Sequence, residues 1–244
     1  MNLPSALPTR RNEAWRYSDL DALAGLWPLG DAEHVLVPAG GSLNRSILQD
    51  AGGVRQVRLV LGSGARARMD VLSLGGGYGR IELDVTLHEG AQFELRGVIL
   101  SSGEQTHEIV STVTHAEPAA TSSQSIRTVV GGRATGSYLG KVAVARAAQK
   151  TDASQSVKAL LLDRTATANA KPELEIFADD VRCAHGATVG ELDKAALFYL
   201  ASRGLPPAEA KQLLLQAFVA GVFDGAVDEA ALTSAALARL GSMV

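Results

Sequence analysis

The clearest pattern in the chain is a strict alternation of apolar and polar residues between positions 80 and 88. The apolar members are Ile81, Leu83, Val85 and Leu87. Successive side chains of an extended strand point to opposite faces, so one face of this segment is apolar and the other is polar. The pattern therefore predicts a β-strand that is buried on one side.

The same period of two recurs from about residue 54 to residue 181. Candidate strands begin near residues 57, 67, 81, 93, 107, 126, 139, 157 and 173, and clusters rich in Gly and Ser separate them. Such a series predicts an all-β core, either a sandwich or barrel or a parallel β-helix. Periodicity alone does not choose between them, although the Ser and Thr residues between positions 111 and 123 are compatible with the stacked rungs of a β-helix.

The pattern becomes helical after Gly190. Asp193 is placed to cap a first helix that ends before Gly204, a second helix opens at Pro206 and Pro207, and a third covers about 228–240. The apolar stripe of the second helix has the spacing i, i+3, i+4, i+7, i+8, i+11, with members Ala210, Leu213, Leu214, Ala217, Phe218 and Gly221. We interpret residues 191–244 as a helical domain that either caps the end of a β core at 51–190 or serves as a docking platform.

Residues 1–50 form an N-terminal segment with hints of short helices. Ser18 is a candidate N-cap, followed by acidic residues in the first predicted turn. Trp15 and Tyr17 precede it. Since a buried aromatic side chain commonly ties down a chain end, we expect these two residues to anchor the segment to the core.

Composition narrows the function classes. The formal net charge is -3 and the basic residues are scattered, which argues against nucleic-acid or anionic-membrane binding. No apolar run is long enough to span a bilayer, and the first residues lack the pattern of a signal peptide. The single cysteine excludes an internal disulfide, so we expect a protein of the reducing cytoplasm.

Cys183 and His185 are the most conspicuous candidates for chemistry, because residues i and i+2 of a strand point to the same face. Thiolate and imidazole suit zinc or an iron–sulfur cluster, but either site usually needs about four donors and this chain has one thiol. A Cys–His nucleophile pair is the second interpretation, and its geometry on one strand is poor. Spacing alone favours the third interpretation, a packed cysteine and a hydrogen-bonded histidine at the end of a strand.

Paired acids suggest a different class of function. Glu173 and Glu175 share a strand face, whereas the adjacent Asp179 and Asp180 point to opposite faces. Because glycosidases work with two carboxyl groups, and β-helices can host carbohydrate chemistry, a carbohydrate-binding or carbohydrate-active protein is the alternative. A solvated strand face explains the same residues equally well.

Four runs of the sequence resemble the SufB/SufD family of iron–sulfur cluster assembly scaffolds. They cover residues 148–155, 160–162, 171–190 and 197–204, and the stretch Asp-Asp-Val-Arg-Cys-Ala-His-Gly at 179–186 resembles the SufD branch. Residues 13–17 are similar to a short N-terminal motif of the same family. The resemblance is dense from about residue 115 to 223, and the chain is short for the family.

The resemblance implies a right-handed parallel β-helix with a C-terminal helical domain and a short N-terminal segment. It implies a subunit of a SufBCD scaffold, without enzymatic activity of its own, that assembles iron–sulfur clusters and passes them to apo-proteins. The expected partners are a SufB-like paralogue, forming a heterodimer, and a SufC-like ABC-type ATPase. A homodimer of the isolated chain is also compatible with the resemblance, and flavin binding is left open.

Site residues follow from the same resemblance. The histidine that matches His185 takes part in cluster assembly at the SufB–SufD interface, with thiolates on the SufB side, and Cys183 matches the cysteine of the motif. The cluster is then transient and shared between subunits. We expect the ATPase to dock on the helical domain, at Leu197, Phe198, Tyr199, Arg203, Leu213, Leu214 and Phe218.

Overall fold

The computed structural model of the protein describes residues 6–244. Its strands are β1 (Glu33–Val37), β2 (Ser42–Gln49), β3 (Gly53–Leu61), β4 (Arg66–Ser73), β5 (Tyr78–Leu87), β6 (Gln92–Ser101), β7 (Thr106–His115), β8 (Thr121–Val130), β9 (Thr135–Val144), β10 (Asp152–Leu161), β11 (Thr167–Ile176) and β12 (Arg182–Gly190). A 3₁₀ turn at Glu13–Trp15 and helix α1 (Leu20–Ala24) precede them. Helices α2 (Lys194–Ser202), α3 (Pro207–Val219) and α4 (Glu229–Gly241) follow.

Successive strands alternate between two parallel six-stranded sheets. One sheet has the order β1-β3-β5-β7-β9-β11, and the other has the order β12-β10-β8-β6-β4-β2. Each strand therefore pairs with the strand two places along the chain, which is the topology of a β-helix. The mainly β fold and the parallel β-helix are confirmed, and the sandwich and barrel are excluded.

The registers place the alternating apolar residues in columns that run along the inside of the solenoid. Ile81 of β5 lies beside Ile109 of β7, and both are fully buried. In the facing sheet, Leu95 of β6 is buried in the same core. Parallel stacking without register shift thus converts a period of two in the sequence into a continuous apolar interior.

The first two strands, β1 and β2, lie inside the segment 1–50 that was expected to hold short helices. The last strand, β12, ends at Gly190. The first five residues, including the stretch with no signal-peptide pattern, lie outside the described residues. Because β1 is the first strand of its sheet, the solenoid begins at Glu33.

An aromatic and ionic anchor ties the N-terminal segment to the outside of the first sheet. The guanidinium of Arg80 lies 3.8 Å from the centre of the Trp15 ring and 2.8 Å from a carboxylate oxygen of Glu108. Ser18 donates a hydrogen bond to Glu108 at 2.9 Å, so it is not the helix cap. Asp19 caps α1 instead, accepting hydrogen bonds from the backbone of Asp21 and Ala22 at 3.1 and 3.0 Å. The expected anchor is confirmed for Trp15.

Helices α3 and α4 lie along a flank of the solenoid. Their buried residues, including Leu215, Val219 and Leu232, pack in one cluster with Leu72 of β4 and Val98 of β6. The expectation that the helices cap the end of the core is therefore wrong for α3 and α4. No helix within residues 6–244 is both long and apolar enough to cross a bilayer.

The buried face of α3 differs from the predicted stripe. Leu215 and Val219 are buried, and of the predicted stripe only Ala210 is fully so. The helix carries apolar residues on two faces, and the face with Leu215 meets the outward side chains of β4, β6 and β8. A hydrophobic pattern marks both faces equally, so it does not tell which one the fold will cover.

Candidate functional site

Cys183 and His185 lie on β12, the last strand of the second sheet. In the parallel pairing with β10, Cys183 is beside Ala153 and His185 is beside Gln155. Ala153 and Gln155 are only 2% and 3% exposed, so they face the inside of the solenoid. Because register is maintained, Cys183 and His185 continue two interior columns into the last coil.

The last coil is open. None of the residues of β11 or β12 is buried, in contrast to the alternate burial of the strands beneath them. Val189 of β12 is 45% exposed, whereas its neighbour Ala159 of β10 is 4% exposed. We call this surface, formed by residues 167–176 and 182–190, the open end. It presents unpaired strand edges and interior-type side chains to whatever lies next to it.

Cys183 is a partly packed thiol. It is half-buried and contacts the cluster of Val142, Val144, Ala148, Ala153 and Ala178. Desolvation raises the pKa of the Cys183 thiol above its usual value, against the effect of a hydrogen bond with the Ala153 backbone. The thiol is therefore the dominant form at neutral pH in this chain, and a metal or another positive charge is needed to favour the thiolate.

His185 is exposed at the open end, and a buried polar network lies directly beneath it. Gln155 Nε2 donates to the hydroxyl of Tyr138 at 3.4 Å, and that hydroxyl donates to Gln124 Oε1 at 2.8 Å. Ser111 Oγ donates to the same oxygen at 2.6 Å. The side-chain oxygen of Gln155 has no hydrogen-bond partner within the described residues.

The open end carries few side chains that can bind a metal ion. Within residues 6–244, no three His, Cys, Asp or Glu side chains lie close enough together to hold a metal ion. Cys183 and His185 supply one sulfur and one imidazole nitrogen on one face, a combination that suits iron and zinc. This pair can therefore contribute part of a coordination sphere, and the remaining donors must come from another molecule.

The acidic pairs near the open end make ion pairs with lysines. Glu175 lies 2.9 Å from Lys141, and Glu173 lies 3.1 Å from Lys171. Asp180 pairs with Lys150. These are partly exposed contacts on the outer surface, the kind that a solvated strand face makes.

The seven residues expected to form a docking surface fall into two groups. Phe198 and Tyr199 of α2 are 75% and 56% exposed, and the Arg203 guanidinium lies 5.2 Å from the Tyr199 ring. Leu213 is 46% exposed and lines a groove of about 350 Å³ between α3 and α4.

The other apolar members of the expected docking surface are less exposed. Leu197 is partly buried beside α3, and Leu214 is partly buried on it. Phe218 packs against the cluster that joins the helices to the solenoid, with the Arg127 guanidinium 5.8 Å from its ring. Of the seven expected docking residues, the exposed apolar ones are therefore Phe198, Tyr199 and Leu213.

Gln155 and Tyr138 are site neighbours that were not anticipated from the sequence. The signal for Gln155 is visible in retrospect, because Ala153, Gln155 and Val157 occupy the inward positions of one period-two strand. An amide at an inward position requires a polar partner. Tyr138 has no comparable local signal, since a tyrosine fits an ordinary apolar column equally well.

The comparison with known families agrees with this architecture. Residues 34–218 match the family model described as the SufBD core domain of SUF system FeS cluster assembly. The chain belongs to the SufB/SufD family. The matched range includes every strand of the solenoid except the first residue of β1, together with α2 and most of α3.

Individual relatives support the SufD branch. The chain is 33% identical over 184 residues to the iron–sulfur cluster assembly protein SufD of Escherichia coli, covering 75% of this chain and 43% of the relative. It is 37% identical over 164 residues to an iron–sulfur cluster assembly SufBD family protein of Synechocystis, covering 67% and 36%. SufD of Bacillus subtilis is 32% identical over 134 residues, covering 55% and 31%. The chain thus spans less than half the length of these curated relatives.

Proposed function

We propose that this chain is a SufD-like subunit of a SufBCD scaffold that assembles iron–sulfur clusters and passes them to apo-proteins. The observation that carries the proposal is the position of His185, on an interior column of the solenoid at its uncovered end. Family membership places the chain in SUF-system cluster assembly. No specific observation favours the carbohydrate alternative over this role.

In this proposal the open end binds a SufB-like paralogue. Unpaired parallel strands offer backbone N–H and C=O groups that a second strand edge can complete. Docking there places His185 beside donors of the partner, with Cys183 two residues away on the same strand face. The cluster is then the cargo of the interface, held transiently by ligands from both chains and released to an acceptor protein.

In this proposal the ATPase binds a different surface of the chain. We place a SufC-like ABC-type ATPase on the helical domain, at the exposed apolar residues Phe198, Tyr199 and Leu213. This chain then acts as a scaffold, and the ATPase subunit hydrolyses ATP. We also place this chain in the cytoplasm, a location that the single cysteine and the reducing environment of cluster chemistry support.

The flank contacts provide a mechanical route from the helices to the solenoid. Arg68 of β4 donates to the backbone oxygen of Asp224 at 2.8 Å, and Arg239 of α4 donates to Ser102 at 2.8 Å. Dimerisation of ATPase subunits would pull on helices that are fastened to the β-helix by these bonds and by the shared apolar cluster. The pull opens or distorts the interface at the open end, where iron and sulfide gather.

The test of this proposal is His185→Ala in the complex reconstituted with SufB-like and SufC-like partners. We expect the variant to co-purify with both partners, because His185 is exposed and packs little of the core. Anaerobic cluster formation, followed by absorbance, should fall at least tenfold, since one cluster donor is lost.

His34→Ala is the matched control. His34 is also exposed and lies on β1, at the opposite end of the solenoid, so the control should form clusters at the wild-type rate. A normal rate with His185→Ala contradicts the site assignment. Failure of the wild-type chain to associate with either partner contradicts the proposed complex.

A further inference from the structure

Gln155 lies one coil beneath His185 in the same interior column. Neighbouring strands are about 4.8 Å apart, which places the Gln155 amide within reach of the imidazole. In the facing sheet, Ala170 of β11 stacks on Tyr138 of β9. Ala170 is much smaller than the tyrosine on which it stacks, and it is only partly buried.

The Gln155 amide is held at one end and free at the other. Its nitrogen donates to Tyr138, and its oxygen is buried without a partner among residues 6–244. A buried carbonyl oxygen without a hydrogen bond is destabilising, so such groups usually have a role or a missing partner. Two donors without a hydrogen-bond partner among the described residues flank this oxygen in the column: Gln124 Nε2 one coil below and the imidazole of His185 one coil above. A carbonyl oxygen has two lone pairs, so it can accept from both.

Tyr138 and Ser111 fix the position of this amide from below. The Tyr138 hydroxyl lies 3.0 Å from Ser111 Oγ, and both donate to Gln124. Tyr138 and Gln155 are 1% and 3% exposed, so water does not compete for these bonds. The rigid part of the column ends at the Gln155 oxygen, directly beneath the exposed histidine.

We propose that Gln155 is a positioning residue for His185: its side-chain oxygen accepts the N–H of one imidazole nitrogen and directs the other nitrogen out of the open end. This inference rests on the proposed function of His185. Histidines that bind metals usually donate their second N–H to a carbonyl or carboxylate, which fixes the tautomer and orients the ring. Gln155 supplies that acceptor from this chain, and the metal-binding lone pair then faces the partner.

The test replaces Gln155 with methionine, which has a similar shape and no amide oxygen. In the complex with SufB-like and SufC-like partners, Gln155→Met should slow cluster formation about 10-fold to 100-fold. In the His185→Ala background it should have no further effect, because a residue that acts only through His185 loses its role with it. Gln155→Glu, which keeps an acceptor oxygen, should retain a rate within about threefold of the wild type.

Gln49→Met is the control for general damage from the loss of a buried amide. Gln49 lies on β2 near the opposite end of the solenoid, is buried, donates to the Gly53 backbone oxygen at 2.8 Å and has an unpartnered side-chain oxygen like that of Gln155, so its variant should form clusters at the wild-type rate. A second readout does not depend on cluster formation. With only this chain labelled with ¹⁵N-histidine, the ring-nitrogen shifts of His185 in the complex should show one neutral tautomer for the wild type and Gln49→Met, and a mixture for Gln155→Met.

The outcomes separate this inference from the proposed function. If His185→Ala loses cluster formation while Gln155→Met keeps a normal rate and an unchanged His185 tautomer, the positioning role is overturned. The assignment of His185 to the site then still stands. Additive effects of His185→Ala and Gln155→Met, or equal effects of Gln49→Met and Gln155→Met, also overturn the positioning role. A normal rate of cluster formation in His185→Ala contradicts the site assignment itself, whichever tautomer His185 adopts.

Discussion

At the scale of single residues, the solenoid interior contains histidines that burial keeps neutral. His115 is fully buried at the end of β7, and its Nε2 lies 2.9 Å from Ser122 Oγ. Desolvation lowers its pKa from 6.5 to about 4. Burial lowers the pKa of His107 as well. Because these histidines bind a proton less readily in the folded chain than in the unfolded chain, the free energy of unfolding depends on pH.

The free energy of unfolding should fall as the pH falls from 6.5 towards 4. In that window the unfolded chain binds a proton that folded His115 does not, and above it neither state does. Each pH unit corresponds to about 1.4 kcal/mol, so His115 alone should remove about 2 kcal/mol between pH 6.5 and pH 5. In urea unfolding at pH 7 and pH 5, the decrease should be about 2 kcal/mol smaller for His115→Gln than for the wild type.

His34→Gln serves as the comparison, because His34 is exposed and its replacement leaves the buried histidines in place. It should show the full wild-type decrease, including the share that His107 contributes. Equal pH dependence in the wild type and His115→Gln would mean that His115 accepts a proton in the folded state.

At the scale of elements, the turns between strands stack on one another as closely as the strands do. Gly76, between β4 and β5, has φ +76°, and a Cβ there would lie 2.2 Å from the backbone nitrogen of Gly52 in the turn of the preceding coil. Gly90, between β5 and β6, has φ +64°, and the nearest atom to a Cβ there is 4.0 Å away. The two glycines share a conformation and differ in the space around them.

We therefore expect Gly76→Ala to be much more destabilising than Gly90→Ala. The left-handed conformation should cost each variant about 1–2 kcal/mol. In Gly76→Ala the backbone of the neighbouring turn must also move, which should raise the total to at least about 3 kcal/mol. Urea unfolding of both variants measures the difference, and equal destabilisation would show that the turns are not in rigid contact.

The strands were predictable because each one obeys a local rule. A period of two located the strands from β3 to β11, although the starts were misplaced by up to several residues because apolar spacing says little about where backbone pairing begins. β1 and β2 were missed. Their exposed residues, including Leu36 at 71%, interrupt the alternation on which the prediction depends.

The candidate site was predictable in part for a related reason. Residues i and i+2 on a strand share a face, so Cys183 and His185 were correctly placed together. That this face is the last, uncovered part of the interior depends on the pairing of β12 with β10, a contact between residues about thirty positions apart. Local sequence does not encode such a register, and therefore the Gln155 network beneath the site also escaped notice.

At the scale of the whole molecule, the two ends of the solenoid differ from its covered flank. The flank of β4, β6 and β8 is closed by α3 and α4. The open end presents Val189 at 45% exposure, on a column whose lower members are buried. Apolar strand edges of this kind associate unless charge or a partner covers them.

In the isolated chain, the open end should mediate a weak homodimer. Two copies related by a two-fold axis bring their β12 strands together antiparallel, so the same edge serves both subunits. In sedimentation velocity at increasing concentration, Val189→Lys should weaken this association at least tenfold, because it introduces a charge into the paired edge. Leu36→Lys, on the first strand and even more exposed at 71%, should leave the association unchanged. Under the proposed function, the SufB-like partner should compete for the same edge and convert the homodimer into a heterodimer. If Leu36→Lys and not Val189→Lys abolishes self-association, the opposite end of the solenoid is the interface, and the placement of His185 between subunits is wrong.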